Sequence, residues 1–84
     1  MNTVRVRYFA SIREVLGSGE QIELPEGATL GAVRDLLIAR SPAHAAALAR
    51  GKALRCALNQ SLSDESAAVG PNAEVAFFPP VTGG

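Results

Sequence analysis

The sequence predicts an α+β fold, one mixed sheet with a main helix packed across one face, and three observations predict it. The stretch TVRVRYF near the start alternates apolar and polar residues with the period of a half-buried strand. Leu30, Val33, Leu36 and Leu37 recur at helical spacing over residues 30 to 40. The apolar stretch EVAFF, Glu74 to Phe78, closes the patterned part of the chain as a further strand. The first and last strands are apolar enough to lie centrally and side by side. With 84 residues the chain has room for one small domain, whose core has to be compact.

Each element follows from local chemistry. In the first strand Val4, Val6 and Tyr8 share one face, and Thr3, Arg5, Arg7 and Phe9 take the other. ASIREVLG then places Ile12, Val15 and Leu16 at helical spacing, with Gly17 as the stop. EQIELPEG is a short strand with Ile22 and Leu24 inward, ended by Pro25 and Gly27. Thr29 is placed to cap the main helix by accepting hydrogen bonds from free N–H groups of its first turn. Ser41-Pro42 restarts the chain as cap and first helical residue, and the alanine-rich AHAAALAR continues as a helix to Gly51. In KALRCAL, Leu54, Cys56 and Leu58 share a strand face opposite Arg55 and Ala57. NQSLSDESAAVGPNA is polar and rich in turn residues, with room for one short strand or helical turn, and Gly70-Pro71-Asn72 marks a turn. No internal repeat or linker interrupts the order.

Composition narrows the function. Eight basic and eight acidic residues give a formal net charge of zero, and no basic stripe argues for nucleic acid. No long apolar run argues for a membrane span, and no signal-peptide pattern follows the first residues. A lone cysteine, Cys56, has no internal disulfide partner, which suits a reducing cytoplasm.

Side-chain catalysis has few candidates. His44 is the only histidine and has no cysteine or second histidine near it in sequence, so a structural role is expected and no metal site. Cys56, in register with Leu54 and Leu58, reads as a buried and inert thiol. Asp64 and Glu65 read as solvated loop charges. No glycine-rich phosphate loop follows a strand. The sequence therefore offers no self-contained active site.

The end of the chain, FFPPVTGG, offers chemistry of another kind. Residues 1–78 are expected to form the domain and residues 79–84 an extended tail. Pro79 and Pro80 lack N–H groups, stop sheet pairing and stiffen the exit. Val81 and Thr82 are β-branched and favour extension. Gly83 and Gly84 have no Cβ and pass where a larger residue would jam. Extended at about 3.3 Å per residue, the segment from Pro79 to Gly84 reaches roughly 20 Å. A terminal carboxylate on such a stem can be threaded into another protein and activated there.

These residues resemble a known family. EVAFFPPVTGG, Glu74 to Gly84, resembles the C-terminus of the small subunit of molybdopterin synthase, the family called MoaD in bacteria. NQSL, Asn59 to Leu62, is similar to the family's segment before its acidic loop, and YFASIREVLG, Tyr8 to Gly17, to its first strand-to-helix junction. The resemblance runs along nearly the whole chain; SPAHAAALAR and SDESAAVGP carry no family signal. It implies a ubiquitin-like β-grasp fold, α+β in class. It implies that the Gly84 carboxylate is adenylated by an E1-like activating enzyme that uses ATP. It further implies that a persulfide-bearing sulfurtransferase supplies sulfur to make a thiocarboxylate. The tail then donates sulfur to cyclic pyranopterin monophosphate within the large synthase subunit, in a heterotetramer, building the dithiolene that binds molybdenum. Gly84 carries the sulfur, Gly83 gives clearance and Pro79, Pro80, Val81 and Thr82 form the stem. No cofactor is expected to be bound. Phe9 and Phe78, out of phase with the core faces, and Leu62, just past the strand that carries Leu58, are implied to line the surface that meets both partners.

Two rival expectations keep the same fold. One is a sulfur carrier for thiamine or another thio-metabolite; relatives of that kind also end in two glycines, but the FFPPVTGG form speaks for molybdopterin. The other is a ubiquitin-like protein modifier, for which the single lysine, Lys52, leaves few sites for lysine-linked chains. A binding module with an idle tail is a further possibility of a different class.

Overall fold

The computed structural model describes residues 1–80, and its sheet has five strands. In chain order the elements are β1 (Asn2–Tyr8), α1 (Ala10–Leu16), β2 (Gly19–Leu24), α2 (Leu30–Ile38), α3 (Pro42–Ala47), β3 (Arg55–Leu58), β4 (Ser61–Ser63) and β5 (Glu74–Phe78). Across the sheet the order is β2-β1-β5-β3-β4. The first and last strands lie side by side and parallel, with Val6 opposite Val75 and Tyr8 opposite Phe77. All other neighbours are antiparallel, so the sheet is mixed and has the expected β-grasp arrangement.

One face of the sheet holds the core. Val4, Val6, Tyr8, Ile22, Leu24, Val75 and Phe77 join Leu30, Val33 and Leu37 of α2, and Ile12, Ala47 and Leu48 from the α1 and α3 regions, in one buried cluster. Such continuous burial is the main term favouring folding in a chain this short. Caps set the helix starts. Thr29 Oγ1 accepts from the Ala32 N–H at 3.2 Å, and Ser41 Oγ accepts from the His44 N–H at 3.1 Å, with Pro42 in the first turn. Gly17 ends α1 at φ 89°, a conformation that a Cβ disfavours. At Gly19 a Cβ would lie 2.3 Å from the Val6 carbonyl oxygen, so the β1–β2 pairing itself requires glycine there.

Four expectations need correction. Val15 is exposed: α1 has two turns, and Ile12 and Leu16, one turn apart, take its inward side. Leu36 is exposed as well, because at 3.6 residues per turn it lies roughly 100° from the centre of the Leu30–Val33–Leu37 face. Arg34, four residues after Leu30, occupies that face instead and is only 4% exposed. Helix α3 ends at Ala47 rather than running to Gly51. The carbonyls of Leu48, Ala49 and Lys52 instead accept from the Arg34 guanidinium, at 2.9, 2.5 and 3.1 Å.

Glu65 is the fourth correction, since it is no free loop charge. Its Oε2 accepts from Arg34 Nη1 at 2.8 Å, and its Oε1 accepts from Arg50 Nη1. Arg50 also bonds Asp35 Oδ1 at 2.7 Å. Three backbone carbonyls and one carboxylate thus satisfy a buried cation that would otherwise be costly to desolvate. The clamp ties the 64–67 turn to α2, where the Leu30 and Gly31 N–H groups donate to the Ala67 and Glu65 carbonyls. The bond from Arg50, helped by Arg34 against the opposing effect of burial, holds the Glu65 carboxyl below its ordinary value of 4.5.

A depressed carboxylate pKa gives stability that is complete above the ordinary value and is lost as pH falls through the folded one. The wild-type melting temperature is therefore expected to drop on acidification through the carboxylate range. The Glu65→Gln variant should melt lower near neutrality and converge on wild type once Glu65 is protonated. Thermal unfolding followed by circular dichroism across that range checks this; parallel curves for the two proteins would refute the clamp.

Candidate functional site

Among the described residues no helix covers the outer face of the sheet, and strand register decides what it displays. In β5, Phe77 points into the core at 1% exposure, and Phe78 points the other way. Cross-strand pairing puts Arg55 opposite Phe78 and Ala57 opposite Ala76, with Arg7 opposite Ala76 on the other side. Leu62 pairs with Ala57 from β4. Phe9 follows β1 directly, and its N–H donates to the Phe77 carbonyl at 3.3 Å. At Ala10 the backbone takes φ 54°, unusual for a residue with a Cβ, so the chain turns sharply into α1.

Phe9, Leu62 and Phe78, the three residues expected at a docking surface, line one groove of about 450 Å³. Phe9 is 37% exposed and Leu62 64%. Ala57 and Ala76 make the floor, and their short side chains are what leave the groove open. The two alanines were missed as site residues, although small residues at outward strand positions were there to be read. Arg7 and Gln60 line the groove too, and the Arg7 guanidinium carbon lies 5.3 Å from the centre of the Phe9 ring.

Leu62 reaches the groove because of a tight hairpin. Asn59 and Gln60 both have positive φ, 50° and 70°, as a two-residue turn between right-twisted strands demands. The Asn59 side-chain oxygen accepts from the Glu74 N–H at 3.0 Å, and the Asn59 N–H donates to the Glu74 carbonyl at 2.8 Å. The turn is thereby fastened to the start of β5. This gives the Asn-Gln-Ser-Leu segment its physical sense: turn, lock and displayed leucine.

The chain leaves the sheet at Pro79 and Pro80. Neither can donate to β3, so the β5 pairing ends at Phe78 opposite Arg55. Both prolines border a cleft of about 340 Å³ with Val15 of α1 and the Lys52–Leu54 segment. Pro80 also borders a larger cleft of about 750 Å³ with Arg55, Cys56, Leu62 and Asp64. Pro79 and Pro80 thus lie beside the groove of Phe9, Leu62 and Phe78. The remaining expected tail residues, Val81, Thr82, Gly83 and Gly84, lie outside the described residues.

The other candidates have structural surroundings. Cys56 is buried, and its thiol donates to the Ser63 carbonyl at 3.2 Å. Burial first, and then the Glu65 charge, push its pKa up, away from the reactive thiolate. His44 bonds Glu20 Oε2 through Nε2 at 2.7 Å and Ser41 Oγ through Nδ1 at 2.7 Å. The Tyr8 hydroxyl donates to the same Glu20 oxygen at 2.6 Å. Burial alone would raise the Glu20 pKa, but the bonds from Tyr8 and His44 outweigh it and hold the carboxyl low. Tyr8 moves the opposite way, upward, through burial and its bond to Glu20. This network ties α3 to the β1–β2 hairpin. Among the described residues no three His, Cys, Asp or Glu side chains are placed to hold a metal ion, and no helix is long and apolar enough to cross a membrane.

Comparison with known proteins adds to this geometry. The model of the ThiS family matches residues 6–84. The molybdopterin synthase sulfur carrier subunit of Haemophilus influenzae is 44% identical over 82 residues, covering 96% of this chain and 99% of that protein. The protein of the same name from Escherichia coli is 40% identical over 81 residues, again covering 96% and 99%. Among solved structures, SAMP1 from Haloferax volcanii superposes with a TM-score of 0.79 at 26% identity, covering 99% of this chain and 100% of that one.

Proposed function

The chain belongs to the ThiS family, and on that footing we propose that it is the sulfur carrier subunit of a molybdopterin synthase, with the carboxylate of Gly84 as the reacting group. The observation that carries the reading is the placing of a proline stem beside an exposed apolar groove, on a chain whose sequence runs from that stem to two glycines. The near-full-length similarity to two subunits of that name supports it.

The chemistry divides between this chain and its partners. A carboxylate is a poor electrophile, and adenylation by an E1-like enzyme at the expense of ATP supplies a good leaving group. The terminal sulfur of a persulfide-bearing sulfurtransferase then attacks the Gly84 carbonyl and expels AMP, and a second thiol cleaves the acyl disulfide so formed, releasing the thiocarboxylate as the two thiols become a disulfide. The resulting thiocarboxylate is a nucleophile, and within the large subunit it delivers sulfur to cyclic pyranopterin monophosphate. This chain's part is to hold and present the acyl group. Phe9, Leu62 and Phe78 dock the body, Pro79 to Thr82 span the distance, and Gly83 leaves clearance for the partner's donors to reach the carbonyl. A cytoplasmic setting keeps Cys56 reduced.

Incubation with ATP, the activating enzyme, a persulfide donor and a thiol reductant is expected to exchange one oxygen of Gly84 for one sulfur. Intact-mass measurement with and without ATP reads the exchange directly, and fragmentation of the C-terminal peptide locates it. No exchange in the presence of an activating enzyme proven active on another carrier would overturn the reading.

A further inference from the structure

The charges of this protein are segregated. Every ion pair among the described residues draws on Arg34, Arg40, His44 or Arg50, in or next to α2 and α3, with Glu20, Asp35 and Glu65 as their acids. Arg5, Arg7 and Arg55 project from the bare outer face of the sheet, all exposed, and none enters an ion pair among the described residues. The acids on that face are Glu23, across from Thr3, and Glu74, which lines the groove at its far end. A formal net charge of zero therefore conceals a face with an arginine on each side of its aromatic centre: Arg55 paired with Phe78, and Arg7 laid over Phe9.

We propose that the docking groove is a charge-steered socket: its partner brings carboxylates to Arg7 and Arg55 on either side of an apolar insert that covers Phe9, Leu62 and Phe78. The inference rests on the sulfur-carrier reading, which makes the large synthase subunit the partner. The physical ground is desolvation. A protein seated on Phe9 also covers the guanidinium stacked on it, and one seated on Phe78 comes against Arg55. A covered cation without a counter-charge opposes binding, whereas one met by a carboxylate gains a charge-assisted, often bidentate, hydrogen bond. Arginine is suited to both conditions, being weakly hydrated and able to stack on a ring while its edge stays free to donate. Aromatic residues with arginine beside them are also the composition of interface centres. The same charges speed encounter with an acidic face and fix its orientation before the apolar contact closes.

The test uses the full chain and the cognate large subunit. Arg7→Glu and Arg55→Glu are expected each to weaken binding roughly tenfold, mainly through slower association, and the wild-type association rate should fall as salt rises. A second measurement exploits the single lysine. In a Lys52→Arg background, Arg7→Lys places one new amine in the groove wall and Arg55→Lys places one on the strand beside it, opposite Phe78. Carbodiimide coupling should then join positions 7 and 55 to Asp or Glu residues of the large subunit, mapped by mass spectrometry. Tight binding that is indifferent to salt and to both reversals, with no coupling at either position, overturns the socket and leaves the sulfur-carrier reading standing. Wild-type chain that fails to bind the large subunit at any salt concentration removes the reading and the inference together.

Discussion

Phe77→Asp is expected to leave no folded protein, while Phe78→Asp folds and loses its partner. The two positions are neighbours in β5 and differ by one strand face. Phe77 is 1% exposed and packs in the cluster with Tyr8, Val75 and the α2 leucines. Removing a buried phenylalanine costs about 3–5 kcal/mol, and an unpaired buried carboxylate adds several more. A domain of this size has a stability on the order of 4–13 kcal/mol, so the sum consumes most or all of it. Phe78 is half-buried on the outer face, where a carboxylate keeps access to water and has Arg55 across the strand gap. Its expected stability cost is about 1 kcal/mol. In the complex the same carboxylate would sit in the apolar centre of the groove, where losses of 2 kcal/mol or more are usual for a central contact. Circular dichroism and a titration against the large subunit measure both quantities. A folded Phe77→Asp beside an unfolded Phe78→Asp would mean that the β5 faces are exchanged and the groove assigned to the wrong side.

Adding one residue after Gly84, or deleting Gly84, is expected to abolish sulfur transfer and leave the melting temperature unchanged. On the proposed reading the acyl group has to arrive at a fixed point in two partner sites, and one residue displaces it by about 3.3 Å. Displacements of that order remove the reacting geometry on which catalysis depends, at a cost of two or more powers of ten in rate. Stability has no reason to respond, since the core cluster takes its last residue from Phe77. Thiocarboxylate formation by intact mass, pterin sulfuration and thermal unfolding on the same variants separate the effects. Full activity in the extended chain would take Gly84 out of the reaction.

The caps at Thr29 and Ser41, the stop at Gly17, the inward faces of β1, β2 and β5, and the pairing of the first strand with the last were all legible without coordinates. Each depends on a period of 2 or 3.6, on a capping side chain or on apolar content, properties of a few consecutive residues. The resemblance singled out Phe9, Leu62 and Phe78. Their meeting on one groove needed the parallel β1–β5 register, the Asn59-Gln60 turn and the alanine floor, contributed by segments far apart in the chain.

The sequence by itself determined which residues turn inward along β1, β2, β3 and β5, where the main helix begins, and that the chain runs from a proline stem to two glycines. Only the tertiary structure decided that Arg34, on the apolar stripe of α2, is a buried cation satisfied by Glu65 and the carbonyls of the α3 exit. The same is true of the outer-face arginines, which enter no ion pair among the described residues. Arg34 and Glu65 stand 31 residues apart, and no local pattern records such a pairing. A strand's period tells which way a side chain points, but whether a charge finds a partner depends on what the folded chain brings opposite it.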